Sequence, residues 1–209
     1  MNERHNLLLP ILLMFLFALS RWPGLMPVNF SAAYALAFCA GVYFPRPLAW
    51  WLPLVTLTIS DLALNLYYQS RGVDAFQPSQ LLNYVAFALI IWLGTKLRPQ
   101  AGWLNLISGG LVGAILFYLI TNTAAWFFNP FHNPEYTRSL AGLWIALTKG
   151  TAGYPQTWEF FRNTLLSGGL FTGLFVGSMK LCEHLEASEE EQEPKSEDEQ
   201  NPEHGQAKA

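Results

Sequence analysis

The chain has 209 residues, of which 52% are hydrophobic, 15% aromatic and only 13% charged, where a soluble domain averages about 25% charged. Its net charge of −3 hides a segregation: the stretch from Glu183 to Ala209 holds ten acids and two bases, and the first 182 residues hold five acids and ten bases. This excludes a nucleic-acid binder, for want of a basic stripe, and a disulfide scaffold or zinc module, since the only cysteines are the distant Cys39 and Cys182.

A bilayer core takes roughly 20 apolar residues per helix, and six segments approach that length. In chain order they are Leu7 to Leu19, Val28 to Phe44, Leu48 to Tyr67, Leu81 to Leu97, Trp103 to Phe128 and Asn163 to Cys182. Pro45-Arg46-Pro47 stops the second, and Lys96-Leu97-Arg98-Pro99 ends the fourth. Ser139 to Leu147 is apolar but too short to span, and reads as an interfacial or re-entrant helix. The first segment also has the length of a signal-peptide core, with Ala18-Leu19-Ser20 as a cleavage site. The expected fold is therefore an all-α integral membrane bundle of six transmembrane helices over residues 1–182. A short helix lies between the fifth and sixth spans, and an acidic, disordered tail covers 183–209.

Trp22, Trp50, Trp51, Trp103, Trp126 and Trp158 fall near span ends, where amphipathic rings anchor. With six spans both termini share one side, and Arg and Lys divide five against five between the sides. The Lys96/Arg98 pair in a very short loop tips the reading to both termini cytoplasmic in a bacterial inner membrane.

Ionisable groups inside a membrane are costly and mark functional candidates. Asp61 is the only acid within a span, and Thr58, Asp61, Asn65 and Tyr68 share one helical face. Up-and-down order brings Asn29, Asp61, Asn65, Asn83, Asn122, Arg162 and Asn163 to one leaflet, opposite the termini. A one-sided polar cluster beneath a long aromatic loop is the pattern of a small-ligand pocket. The expected ligand-binding set is Asn29, Asp61, Asn65, Asn122, Arg162 and Asn163, with Trp126 as an aromatic wall. Each Asn near a span end also reads as a helix cap, Arg162 as a snorkelling interfacial cation, and Asp61 as a structural partner of Arg162.

Small residues recur at spacing four: Ala33, Ala37 and Gly41 in the second span, and Gly169, Gly173 and Gly177 in the sixth. Gly109, Gly110, Gly113 and Ala114 form a third group. Such ridges let helices approach closely, within the bundle or against another membrane protein. No phosphate-binding loop, HExxH motif, intramembrane Ser–His pair or second intramembrane Asp is present. The reading is therefore not an enzyme, with no cofactor and no metal.

The stretches from Asn29-Phe30-Ser31 to Phe44, Ile59-Ser60-Asp61-Leu62, Leu119-Ile120-Thr121-Asn122 and Phe160-Phe161-Arg162-Asn163-Thr164-Leu165 resemble an uncharacterised family of small bacterial inner-membrane proteins. That family in turn is similar to the substrate-binding S components of energy-coupling-factor transporters. The resemblance covers about residues 7–182 and implies capture of a vitamin-like molecule or metal ion from outside. It also implies docking on a transmembrane coupling protein driven by ABC-type ATPases. The first span lacks the small-residue ridge such docking uses, and no N-terminal His cluster is present for a cobalt- or nickel-type site. The expectation is a substrate-capture subunit for a small polar or vitamin-like solute, in contact with membrane lipids. Its rivals are a structural or assembly protein without ligand, and a membrane enzyme acting on a lipid-linked substrate with Asp61 as base.

Overall fold

The computed structural model describes residues 5–73 and 80–192. Among them it is all-helical, with seven helices and no strands. These are α1 (His5–Ser20), α2 (Ala33–Tyr43), α3 (Arg46–Gln69), α4 (Leu81–Gly94), α5 (Trp103–Phe128), α6 (Leu140–Thr148) and α7 (Thr157–Gln192). Three stretches are long and apolar enough to cross a membrane: Arg46–Gln69, Trp103–Phe128 and Thr157–Cys182. Pro10–Ser20, Ala33–Tyr43 and Leu81–Gly94 are apolar but shorter. The structure is thus that of a membrane-associated helical protein.

The chain divides after Val176 into two units. The second is described as far as Gln192 and there consists of the C-terminal part of α7. α7 continues as helix past Cys182, so the tail drawn from charge at 183 begins as helix; residues 193–209 lie outside the described residues.

In the first unit α2 is the core. Ten of its eleven residues are buried, from Ala33 to Val42. A helix apolar on every side has no solvent face and must be surrounded. It packs on α1, α3, α4 and α5. The Tyr43 ring also meets Phe175 of α7, with centroids 5.4 Å apart. Close approach depends on glycine at one crossing. A Cβ on Gly41 would land on the Ile91 carbonyl oxygen, and one on Gly94 would land on that of Phe38. α5 uses its small residues the same way: Gly109 lies against the Phe38 ring and Gly110 against Thr172. The sixth-span ridge is different, for a Cβ on Gly173 would meet nothing within 4 Å.

Helix α2 starts five residues later than its apolar stretch. Pro27 lacks a donor, Asn29 is in the left-handed region (φ 59°), and the side chains of Ser20 and Ser31 take the backbone N–H groups of Ala32 and Ala33. The helix is therefore roughly 16 Å long, about half the thickness of a bilayer core. Outer faces remain apolar: Val55, Ile59, Leu62 and Leu66 of α3 follow helical spacing and are exposed. So are Ile11, Phe15 and Leu19 of α1, and Leu81, Val85, Leu89 and Trp92 of α4. Continuous apolar stripes of this kind are out of place in water and natural in lipid.

The crossing predicts a contrast. Gly41→Ala is expected to lower stability by about 1–3 kcal/mol, because backbone must move to admit the methyl group. Gly173→Ala should be neutral or slightly stabilising through its higher helix propensity. Thermal unfolding in detergent, followed by size-exclusion fluorescence, reads both; equal losses would contradict the packing described.

Candidate functional site

The end of the bundle where α1, α3 and α5 finish and α2, α4 and α7 begin is polar. Ser20 and Ser31 close the base of the irregular segment 21–31, with their hydroxyls 3.0 Å apart. Ser20 also donates to the Phe17 carbonyl at 2.9 Å. This supplies protein partners to backbone that leaves helical geometry, which a site shielded from water requires. Asn163 of α7 holds the segment from outside, donating its amide to the Val28 carbonyl at 2.9 Å.

The charge here is an ion pair. Arg21 Nη2 donates to Asp61 Oδ1 at 2.5 Å, and Nη1 donates to the Ser60 hydroxyl. Both side chains are mostly buried, at 17% and 14% exposure. Asp61 Oδ2 is buried and makes no hydrogen bond of normal geometry among the described residues. The Tyr84 hydroxyl of α4 lies in hydrogen-bonding reach of Thr58 and feels the charge of Asp61. The partner of Asp61 is thus Arg21, and not Arg162 as sequence reading allowed. Arg162 is exposed, its guanidinium 5.5 Å from the Trp158 ring centroid. The reason is adjacency: α1 packs on α3.

A cavity of about 390 Å3 opens beside this pair. Its wall includes Arg21, Asn29, Ser31, Tyr34, Tyr68 and Asn83, with Phe87 and Phe117 beneath. The Tyr34 and Phe117 rings lie 4.6 Å apart and the Phe87 and Phe117 rings 5.4 Å, so the floor is a packed aromatic cluster. The side-chain amides of Asn29 and Asn83 make no hydrogen bond among the described residues, which leaves four N–H donors and two carbonyl oxygens to face a guest.

Asn83 also lines a second cavity of about 280 Å3, with Gln80, Thr121 and Tyr136. Phe131, Asn133 and Tyr136 are shared with a third of about 570 Å3, which reaches Asn122, Tyr154 and Phe160. The loop over these cavities is braced. Asn129 and Asn133 exchange two bonds, at 3.0 and 2.7 Å. The Glu135 carboxylate accepts from the Ala152 N–H at 3.1 Å. Burial raises the Tyr136 phenol above its ordinary value, and the Glu135 carboxylate adds to the shift. α6 is capped by Ser139, whose side chain accepts from the Gly142 N–H at 3.1 Å. Tyr118 of α5 binds the α6 carbonyl of Leu147.

The seven residues chosen from sequence separate. Asn29 lines the first cavity and Asp61 stands behind it through Arg21. Asn163 anchors its rim. Asn65 bonds Gln80 across α3 and the segment before α4, at 3.4 and 3.5 Å. Asn122 donates to the Tyr118 carbonyl at 2.8 Å and reaches the third cavity. Trp126 donates to the Thr137 carbonyl at 2.7 Å and, like Arg162, is in the wall of none of these three cavities. Sequence reading missed Arg21, Ser20 and Ser31. The available signal was position: Ser20-Arg21 follows the first apolar run directly, at the level reached by Asp61.

Removing one member of the pair leaves a shielded charge alone. Arg21→Met is expected to cost about 2–3 kcal/mol, below the range for a fully buried pair because of residual exposure. Adding Asp61→Leu should restore most of that loss. A double variant no more stable than Arg21→Met would show that the pair is not what the single change disrupts.

The family whose model matches the chain is described as "Family of unknown function (DUF6580)", with residues 1–190 matched. No curated protein and no solved structure matches the chain.

Proposed function

The chain belongs to the DUF6580 family, and from that premise we propose that it is a six-span bacterial inner-membrane protein that captures a small polar solute in the cavity beside Arg21 and Asp61. The observation that carries the reading is the cavity of about 390 Å3 walled by irregular backbone and by the two unengaged amides of Asn29 and Asn83. Non-helical backbone at membrane depth is tolerated where it is buried or lines a cavity, and there it supplies fixed donors and acceptors. The aromatic floor offers a flat apolar face, so the solute is a compact polar molecule with a planar or apolar side.

The six crossings rest on the exposed apolar faces of α1 and α4, beside the three long helices. The unwound segment 21–32 extends the reach of the short α2. In this arrangement both termini are cytoplasmic, and the cavity opens to the outer face. α6, with Leu140 and Trp144 exposed, lies in the interface. Arg21, Asn29, Tyr68 and Asn83 orient the solute; no covalent chemistry is needed. Uptake then requires a partner, and a transmembrane coupling protein with ABC-type ATPases is the class that the S-component resemblance implies. Asn65, Asn122, Trp126, Arg162 and Asn163 support the frame of the site.

One observation favours a structural reading of the ion pair itself. Arg21 and Asp61 pair with each other and tie the end of α1 to α3, so their net charge is cancelled within the protein. The amides are therefore the sharper test of binding. Native mass spectrometry of the gently solubilised full chain should show a co-purifying small molecule, reduced about tenfold in occupancy by Asn83→Ala, the loss of one or two hydrogen bonds. Unchanged thermal stability of that variant would assign the loss to binding. A wild-type protein free of any small molecule, with spectra identical to the variant's, would contradict solute capture.

A further inference from the structure

Outside the cavities one surface feature has a different chemistry. Between the first turn of α4 and the last three turns of α5 runs an open groove of about 430 Å3. Its wall is Leu82, Leu119, Ile120, Thr123, Phe127 and Phe128, with Ala124 at its base. α5 is one of the three helices long and apolar enough to cross a membrane, so this wall belongs to a surface that meets hydrocarbon.

A cation marks one end. The Arg138 guanidinium sits 5.4 Å from the centroid of the Phe127 ring, and Phe127 is half exposed. Arg138 itself is exposed and has no acid within ion-pair distance among the described residues. Its backbone is held in place: the Trp126 indole binds the Thr137 carbonyl at 2.7 Å, and the Thr137 and Ser139 hydroxyls are 3.0 Å apart. Stacking on a ring engages the guanidinium face and leaves its N–H edge free for an anion. α6 follows at once and presents Leu140 and Trp144, 85% and 67% exposed, beside the same segment. Exposed Trp and Leu next to a cation are the composition of the headgroup level.

An apolar groove that ends at a fixed, unpaired cation matches an amphiphile with an aliphatic tail and an anionic head. A partner helix fits it poorly. The groove covers only three turns, it is walled by large side chains, and it offers no small-residue seam for close approach. We propose that this groove is a specific site for an anionic phospholipid, with one acyl chain lying between α4 and α5 and the phosphate bound by Arg138. Arg–phosphate bonds are charge-assisted and bidentate; the preference for an anionic over a zwitterionic lipid comes from net charge, since the ammonium of a zwitterionic head offsets the attraction of its phosphate to Arg138.

The full chain, delipidated in mild detergent and titrated with dioleoylphosphatidylglycerol or dioleoylphosphatidylcholine under native mass spectrometry, tests the site. Wild type is expected to retain the anionic lipid about tenfold better than the zwitterionic one. Arg138→Gln should abolish that preference, with phosphatidylglycerol retention falling to the level of phosphatidylcholine. Thr123→Trp, which fills the groove and leaves the cation in place, should weaken both lipids. Arg71→Gln removes another exposed arginine stacked on a ring, 5.2 Å from the Tyr67 centroid, and should change nothing. Glycerol 3-phosphate, the head without chains, should not compete. Undiminished preference in Arg138→Gln, an equal loss in Arg71→Gln, or full competition by glycerol 3-phosphate would each overturn the proposal.

Discussion

A helix buried on all sides constrains everything around it. α2 is that helix, and its length is set by what can be enclosed: eleven residues, with ten of them buried. The segment before it, 21–32, therefore leaves regular structure inside the fold. Backbone groups there lose helical partners and need others, since an unpaired N–H shielded from water costs about as much as a lost hydrogen bond. Ser20 and Ser31 provide them through Ala32 and Ala33. Arg21 docks on Asp61, and Asn163 reaches the Val28 carbonyl. The polar end of the protein follows from the shortness of one apolar helix.

The same constraint produces the cavity. Irregular backbone does not fill space as helices do, and the aromatic cluster of Tyr34, Phe87 and Phe117 closes the floor without reaching the rim. The opposite crossing, at Gly41 and Gly94, is drawn so close that no side chain separates the backbones. One bundle thus combines a tight seam at the end of α2 with an open mouth at its start. In the proposed function that division would set a preorganised site on a tightly packed frame.

Much of this was legible in the sequence, and the failures have physical reasons. Apolar runs bounded by proline and polar residues located the helices; α5 begins and ends where its run does, with Gly102 before it and the left-handed Asn129 after it. The start of α2 was misplaced because hydrophobicity continues through Val28 and Phe30, while Pro27 and the positive φ of Asn29 break the helix. The functional weight given to Asp61 rested on its being the only acid in a span, and the structure gives it the one ion pair among the described residues. Its partner was hidden, since Arg21 and Arg162 lie at the same level and only helix adjacency chooses between them. Trp126 was read as a cavity wall from its place at a span end, yet its indole has a backbone carbonyl to bind and turns to Thr137. Identical small-residue spacings diverged too, with Gly41 against backbone and Gly173 against nothing, because spacing records a face and not what faces it.

In the proposed arrangement the cavity end faces the outside of the cell and the short loop after α4 faces the inside. Cysteine labelling in intact cells tests this most directly. The background is Cys182→Ser, with Cys39 left in place because it is fully buried. Met26→Cys, at the cavity rim, should react with a membrane-impermeant thiol reagent added to intact cells. Gln100→Cys, exposed in the loop between α4 and α5, should react only after permeabilisation. The reverse pattern, or labelling of both positions from the same side, would contradict the up-and-down arrangement and with it the capture of a solute from outside.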